Sequence, residues 1–146
     1  METIDKRIIR MFKKHHIFTL ATSHDNRPWC ATCFYVYDET SNRIIFTSDH
    51  DTRHINEGIV HYEVSGAIAL ETIIIGKIRG IQFSGTLTEL TGEDYAIAMK
   101  QYLRRFPYAA PYVKSTSLWA INPDFLKMTD NRLGFGKKII WHKNTE

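Results

Sequence analysis

The chain reads as a mainly β protein, a small closed or split barrel with helices plugging its ends, and three observations lead there. Short β-branched and aromatic runs follow one another with turn clusters between them. The run from Ile73 to Leu90 carries Gly76, Gly80 and Gly85, a pattern suited to bends or bulges where a sheet curls. Helical patterns lie outside the strand runs, at the N-terminus and again before Pro107. At 146 residues the chain is read as one domain, 1–146, because roughly 100–200 residues make a domain.

Residues 2–15 form an amphipathic helix in this reading, with Ile4, Ile8, Met11 and Phe12 on one face and lysines near its C-terminal end. Ile17 to Ser23 is the first strand and His24 to Pro28 a turn cluster. Trp29 to Tyr37 is the second strand, with Ala31, Cys33, Tyr35 and Tyr37 on one face and Cys30, Thr32, Phe34 and Val36 on the other. A turn over Asp38 to Asn42 leads to a third strand, Arg43 to Ser48, completing an antiparallel meander. Asp49 to Glu57 reads as a short helix closed by Gly58. Two long strands follow, Ile59 to Glu71 and Ile73 to Leu90. A helix then starts at Thr91 to Asp94, spans Tyr95 to Phe106 and stops at Pro107. Leu118 to Ile121, Leu126 to Thr129 and Lys138 to His142 are the last strands.

Composition narrows the function classes. With 43% hydrophobic and 24% charged residues the chain is an ordinary globular one, which sets aside disorder and collagen-like repeats. Its net charge of +3 is too small for the dense basic face of an obligate nucleic-acid binder. No run approaches the ~18 apolar residues of a membrane span, and the N-terminal segment lacks the apolar core of a secretory signal. With only Cys30 and Cys33, a cytoplasmic protein with reduced thiols is expected.

Few motifs carry chemistry on their own. A redox pair needs a thiol at a helix N-terminus, whereas Cys30 and Cys33 sit three apart within a strand pattern and point to opposite faces. Zinc would need two further ligands, and His50 with His54 is half a site at most, so no metal is expected. The glycine-rich Gly134 to Lys138 suits an anion cradle, but a turn into the next strand is the favoured reading. Phe46 to His54 joins a strand end, hydroxyl residues and a helix start with an arginine, the ingredients of a phosphate site. Read alone, its Ser, Thr and Asp are ordinary helix caps, and Asp49 and Asp51 oppose an anion. No residue is singled out as a catalytic acid or base.

Four segments together are familiar: Thr52-Arg53-His54, the RGIQFSG run from Arg79 to Gly85, Arg104 to Pro107, and the TDNRLGFGKKIIW block from Thr129 to Trp141. Through them the chain resembles, nearly end to end, the YhbP-like bacterial family within the pyridoxamine phosphate oxidase-like, FMN-binding split barrels. The resemblance implies a six-stranded antiparallel split barrel that dimerises, with two flavin sites at the subunit interface. It implies an FMN phosphate held by Thr47, Ser48, Thr52, Arg53 and His54, and Gln82 beside the flavin. It implies that the partner's C-terminal strand supplies Lys137, Lys138 and Trp141, with the ring along the backbone near Ala31 to Phe34. In this chain the second strand carries no Arg or Lys, and no arginine motif follows Trp141.

The first functional reading is therefore an FMN-dependent oxidoreductase acting on a small molecule, with lysines near the flavin and the cofactor supplying the chemistry. The second is a flavin or haem binding or sensor module without turnover. The third, the weakest, is a single-strand nucleic-acid binder using Lys13, Lys14, Arg104, Arg105 and the C-terminal lysines.

Overall fold

A computed structural model describes residues 3–113 and 115–144. The first helix, α1 (Lys6–Lys14), opens at Asp5, whose Oδ1 accepts from the Arg7 N–H at 2.8 Å. Glu2, where the sequence reading began this helix, lies outside the described residues. The apolar stripe turns Ile8, Met11 and Phe12 into the core. Phe12 stacks on Tyr37 at 4.4 Å between ring centroids, and its carbonyl accepts from the Tyr35 hydroxyl at 2.6 Å. Burying each of these three side chains contributes roughly 1.5–3 kcal/mol.

Strands β1 (Ile17–His24) and β2 (Arg27–Asp38) form a hairpin with His24 opposite Arg27. Its two turn residues, Asp25 and Asn26, have φ of 50° and 60°, the geometry that makes a two-residue turn follow the strand twist. Strand β3 (Arg43–Thr47) returns after a turn ending in Asn42, and helix α2 (Arg53–Val60) follows. Then come β4 (Glu63–Ala69), β5 (Arg79–Leu90), α3 (Gly92–Arg105), a short α4 (Ala110–Val113), β6 (Leu118–Asp130) and β7 (Lys138–His142).

The sheet runs β3-β2-β1-β4-β5-β6-β7, all antiparallel, and β3 pairs again with β6 to close six strands into a barrel. β7 extends the wall beyond β6, with Trp141 opposite Leu126. The interior holds Phe18, Leu20, Tyr35, Phe46, Ile81 and Phe83. α3 packs outside on Ile45, Leu118 and Ala120. Arg43, buried beneath it, joins the Asp38 carboxylate at 3.1 Å to Asp94 on α3 at 2.9 Å.

Four boundaries differ from the sequence reading. The helix expected over Asp49–Glu57 begins later, at Arg53, and continues past Gly58 to Val60. Gly58 is inside α2 because a Cβ there would meet Leu87 Cδ2 at 2.5 Å, so the glycine serves packing on β5, not helix termination. Ile59 and Val60 belong to that helix, and the expected strand from Ile59 starts only at Glu63. Residues 73–78 form a loop with a short 3₁₀ turn at Ile75–Lys77, so β5 starts at Arg79 and not Ile73. The two expected strands Leu118–Ile121 and Leu126–Thr129 are the ends of one strand, β6. Pro123 survives inside it because it pairs with Gly85 at a β-bulge, where a missing N–H breaks no ladder. Among the described residues no helix is long and apolar enough to cross a membrane.

Candidate functional site

The loop between β3 and α2 is anchored before it becomes a site. Ser48 donates its N–H to the Ser117 carbonyl at 3.2 Å, and Trp119 Nε1 donates to the Ser48 carbonyl at 2.9 Å. Thr47 Oγ1 donates to the Tyr102 hydroxyl at 3.4 Å, which ties the strand end to α3. On this frame Ser48 Oγ lies 2.6 Å from His54 Nε2 and 3.5 Å from Thr52 Oγ1.

Thr52 occupies the N-cap position of α2, yet its hydroxyl donates to the Asp49 carbonyl at 2.9 Å and caps no helical N–H. The first-turn N–H groups of α2 therefore keep their partial positive charge beside two hydroxyls. Burial lowers the His54 pKa, so the ring is held neutral and offers one donor and one acceptor. Asp49 and Asp51 are exposed. His50 turns away to the Glu89 carboxylate at 2.7 Å, its ring 5.1 Å from that of Trp119.

Arg53 stands apart from this cluster. Its Nε donates to Glu57 Oε1 at 2.8 Å, and its guanidinium lies 4.1 Å from the centroid of the Trp29 ring. The other Glu57 oxygen accepts from the Thr22 hydroxyl at 2.8 Å, and these contacts, the Arg53 bond first, lower the Glu57 pKa.

Gln82 is exposed on the outer barrel face, in a groove of about 520 Å³ that crosses β1, β2, β4, β5 and β6. Thr19, Cys30, Gly66 and Phe125 line it, and most of its walls are small. Gly66 must be small because a Cβ there would strike the Phe83 ring at 2.3 Å. Lys137 and Lys138 are exposed where β7 begins, and Trp141 is buried in the main core of the same protomer. Thr47 pairs with Leu118 and Lys138 with Thr129, at opposite ends of β6. That separation is on the order of 35 Å of strand.

One protomer thus assembles Thr47, Ser48, Thr52 and His54, holds Arg53 alongside, and places Gln82, Lys137, Lys138 and Trp141 elsewhere. The sequence reading missed Trp29, Tyr102 and Trp119, which position this cluster. Trp29 and Arg53 come together only because β2 and α2 meet in space, and no sequence spacing signals it. Cys30 is exposed and Cys33 buried, on opposite faces as the strand period requires, and burial pushes the Cys33 thiol up to about 11. No three His, Cys, Asp or Glu side chains gather to hold a metal among the described residues.

No protein-family model matches the chain. It is 38% identical over 144 residues to a UPF0306 protein of Klebsiella pneumoniae, covering 99% of this chain and 96% of that one. It is 38% identical over 136 residues to a UPF0306 protein of Yersinia pseudotuberculosis, covering 93% and 91%. Among solved structures it is similar to a haem-binding protein of Mycobacterium smegmatis, with TM-score 0.77, 15% identity, and coverage of 97% of this chain and 60% of that one. An FAD-binding protein of the same organism aligns with TM-score 0.68 and 12% identity, covering 95% and 98%. A haem storage protein of Vibrio cholerae aligns with TM-score 0.68 and 15% identity, covering 84% and 91%. These structural likenesses establish the split-barrel fold, and the end-to-end identity with the curated relatives establishes the lineage: this chain belongs to the UPF0306 family.

Proposed function

We propose that this protein binds a flavin mononucleotide, with the phosphate at the N-terminus of α2 and the ring in the groove beside Gln82. The observation that carries the reading is the triangle of Ser48, Thr52 and His54 at a helix start whose N–H groups lack a side-chain cap. The Ser48 hydroxyl and a neutral imidazole can donate to phosphate oxygens, and Thr52 can join them by giving up its bond to the Asp49 carbonyl. Arg53 reaches the dianion by exchanging the Glu57 carboxylate for a phosphoryl oxygen. The groove has the volume of a planar-ring site, and Gln82 offers an amide to the ring edge. A bound flavin would supply hydride or single-electron transfer, and the fold would supply anchoring and a drier pocket.

A homodimer belongs to this proposal. Lys137 and Lys138 are too far along β6 to reach a phosphate at Ser48 of their own protomer. A second copy can bring the same lysines to the first copy's site, beside an anionic flavin edge. Fold neighbours that bind FAD or haem make those two ligands the necessary comparisons.

The test is titration of the purified protein with FMN, FAD and haemin, followed by visible absorbance and flavin fluorescence, alongside light scattering for mass. FMN saturation by a dimer is expected, weakened about tenfold or more by Ser48→Ala and by Arg53→Ala. No FMN binding, or unchanged affinity in both variants, defeats the phosphate placement, and haemin binding alone reassigns the cofactor. Turnover of a reduced nicotinamide or an amine by the flavin-loaded protein separates an oxidoreductase from a carrier.

A further inference from the structure

We infer that a second anion site, distinct from the flavin site, lies at the opposite end of the barrel and takes a compact di- or triphosphate group. Arg7, Arg10 and Lys14 of α1, Arg79 at the start of β5 and Arg132 after β6 line one pocket of about 100 Å³. Met11 and Met128, both buried in the core, form its floor.

Two carboxylates belong to this cluster, and each is already engaged. Asp5 takes the Arg7 side chain at 2.9 and 2.7 Å, and Asp130 takes Arg132 at 3.0 and 2.8 Å. These forks fix two guanidinium groups in place. Arg10, Lys14 and Arg79 have no carboxylate partner among the described residues. Five cations against two carboxylates leave a local surplus equal to the +3 of the whole chain.

The placement follows from three elements. Positions 7, 10 and 14 fall on one face of α1. Arg79 is the register partner of Asp130, so β5 and β6 deliver their charges to the same rim. The field reaches neighbouring groups: burial first, then Lys14 and Arg79, lowers the His15 pKa, and His15 Nε2 is buried without a hydrogen-bond partner. Convergent like charges repel in the folded state, and a polyanion relieves that repulsion while supplying acceptors for three unused donor groups. The pocket is well below the about 300–1,000 Å³ of a site for a drug-sized molecule. It therefore accepts a phosphoryl headgroup and leaves any attached base or ring outside. Asp130 and Leu118 terminate β6 at its two ends, which separates this pocket from the Ser48 cluster.

Isothermal titration of the full chain with inorganic pyrophosphate at fixed ionic strength tests the inference. Saturable binding is expected, at least about tenfold tighter than orthophosphate and weakened at least about tenfold by Arg10→Gln/Arg79→Gln. Lys14→Gln gives an independent variant should the double variant melt early. FMN affinity of the variants should equal that of the parent, which separates this site from the flavin proposal. Absence of pyrophosphate binding, equal binding by parent and variants, or loss of FMN affinity with the same substitutions each overturns it. Tighter binding of a single-stranded oligonucleotide than of pyrophosphate, abolished by the same variants, also overturns it and makes the patch a nucleic-acid surface.

Discussion

Ser48 Oγ and His54 Nε2 lie 2.6 Å apart, linking the end of β3 to the first turn of α2. The contact closes a loop whose carbonyl is already fixed by Trp119 Nε1 and whose preceding Thr47 hydroxyl is fixed by Tyr102. A ligand at this helix start meets donors that are in place before it arrives, which reduces the ordering cost of binding.

Because burial lowers the folded-state pKa of His54 below its unfolded value near 6.5, acid favours the unfolded chain there. The stability involved is fully present above about pH 6.5 and is lost as pH falls from there through the lower folded pKa. His54→Gln should therefore flatten the dependence of the urea midpoint between about pH 7 and 5. An identical slope in the variant would show that His54 titrates normally in the fold.

The cap of α1 has the same sense in a more acidic window. Hydrogen bonds from the Arg7 side chain and backbone N–H lower the Asp5 pKa to about 2. The carboxylate therefore stabilises the folded state above its unfolded pKa of about 3.9, and that contribution disappears as pH falls toward the folded value. Asp5→Ala should cost about 1 kcal/mol at neutral pH, and the gap from the parent should close as denaturation is followed from about pH 4 to 2. A gap that persists at the acid end assigns the loss to packing, not to the ionised cap.

The two cysteines should differ sharply. Cys30 is exposed in the outer groove, whereas burial pushes the Cys33 thiol up to about 11. A chromogenic disulfide reagent at pH 8 should titrate one fast thiol per chain, and Cys30→Ser should remove it. If a flavin ring lies in the groove, saturation with FMN should slow that reaction. Two fast thiols would mean that β2 is not packed as described.

Gly85 tests the barrel's bend. A Cβ at this position would sit 2.4 Å from the Asn122 carbonyl oxygen, against backbone that cannot swing aside. Gly85→Ala should lower unfolding free energy by roughly 2–3 kcal/mol in chemical denaturation. A substitution that leaves the midpoint unchanged would place the β5–β6 bulge elsewhere.

Much of the barrel was legible because strand signals are local. The alternation of Cys33, Tyr35 and Tyr37 with Thr32, Phe34 and Val36 identifies the buried face of β2, and three of those side chains are inside. Asp25-Asn26 marks its turn for the same reason, since few residues tolerate positive φ. The misplaced boundaries arise where a residue's role depends on a distant neighbour. Gly58 reads as a helix stop until Leu87 is packed against it, and Pro123 reads as a strand break until Gly85 faces it. Within the candidate site, the hydroxyls, Arg53 and His54 are named through the family resemblance, since their segment read alone gives ordinary helix caps. The turning of Arg53 to Glu57 and Trp29 could not be read from that segment, because Trp29 is on another element.

By itself the sequence determined a mainly β fold, its helix at the N-terminus and the segment that begins a helix with hydroxyls and a basic side chain. Those properties follow from periodicity and capping, which act over a few residues. Tertiary structure alone decided that β3 closes on β6, that the predicted site residues split between the two ends of β6, and that five cations share one pocket. Each of these rests on contacts between residues far apart in the chain, whose partners are set by barrel closure and burial, not by local spacing.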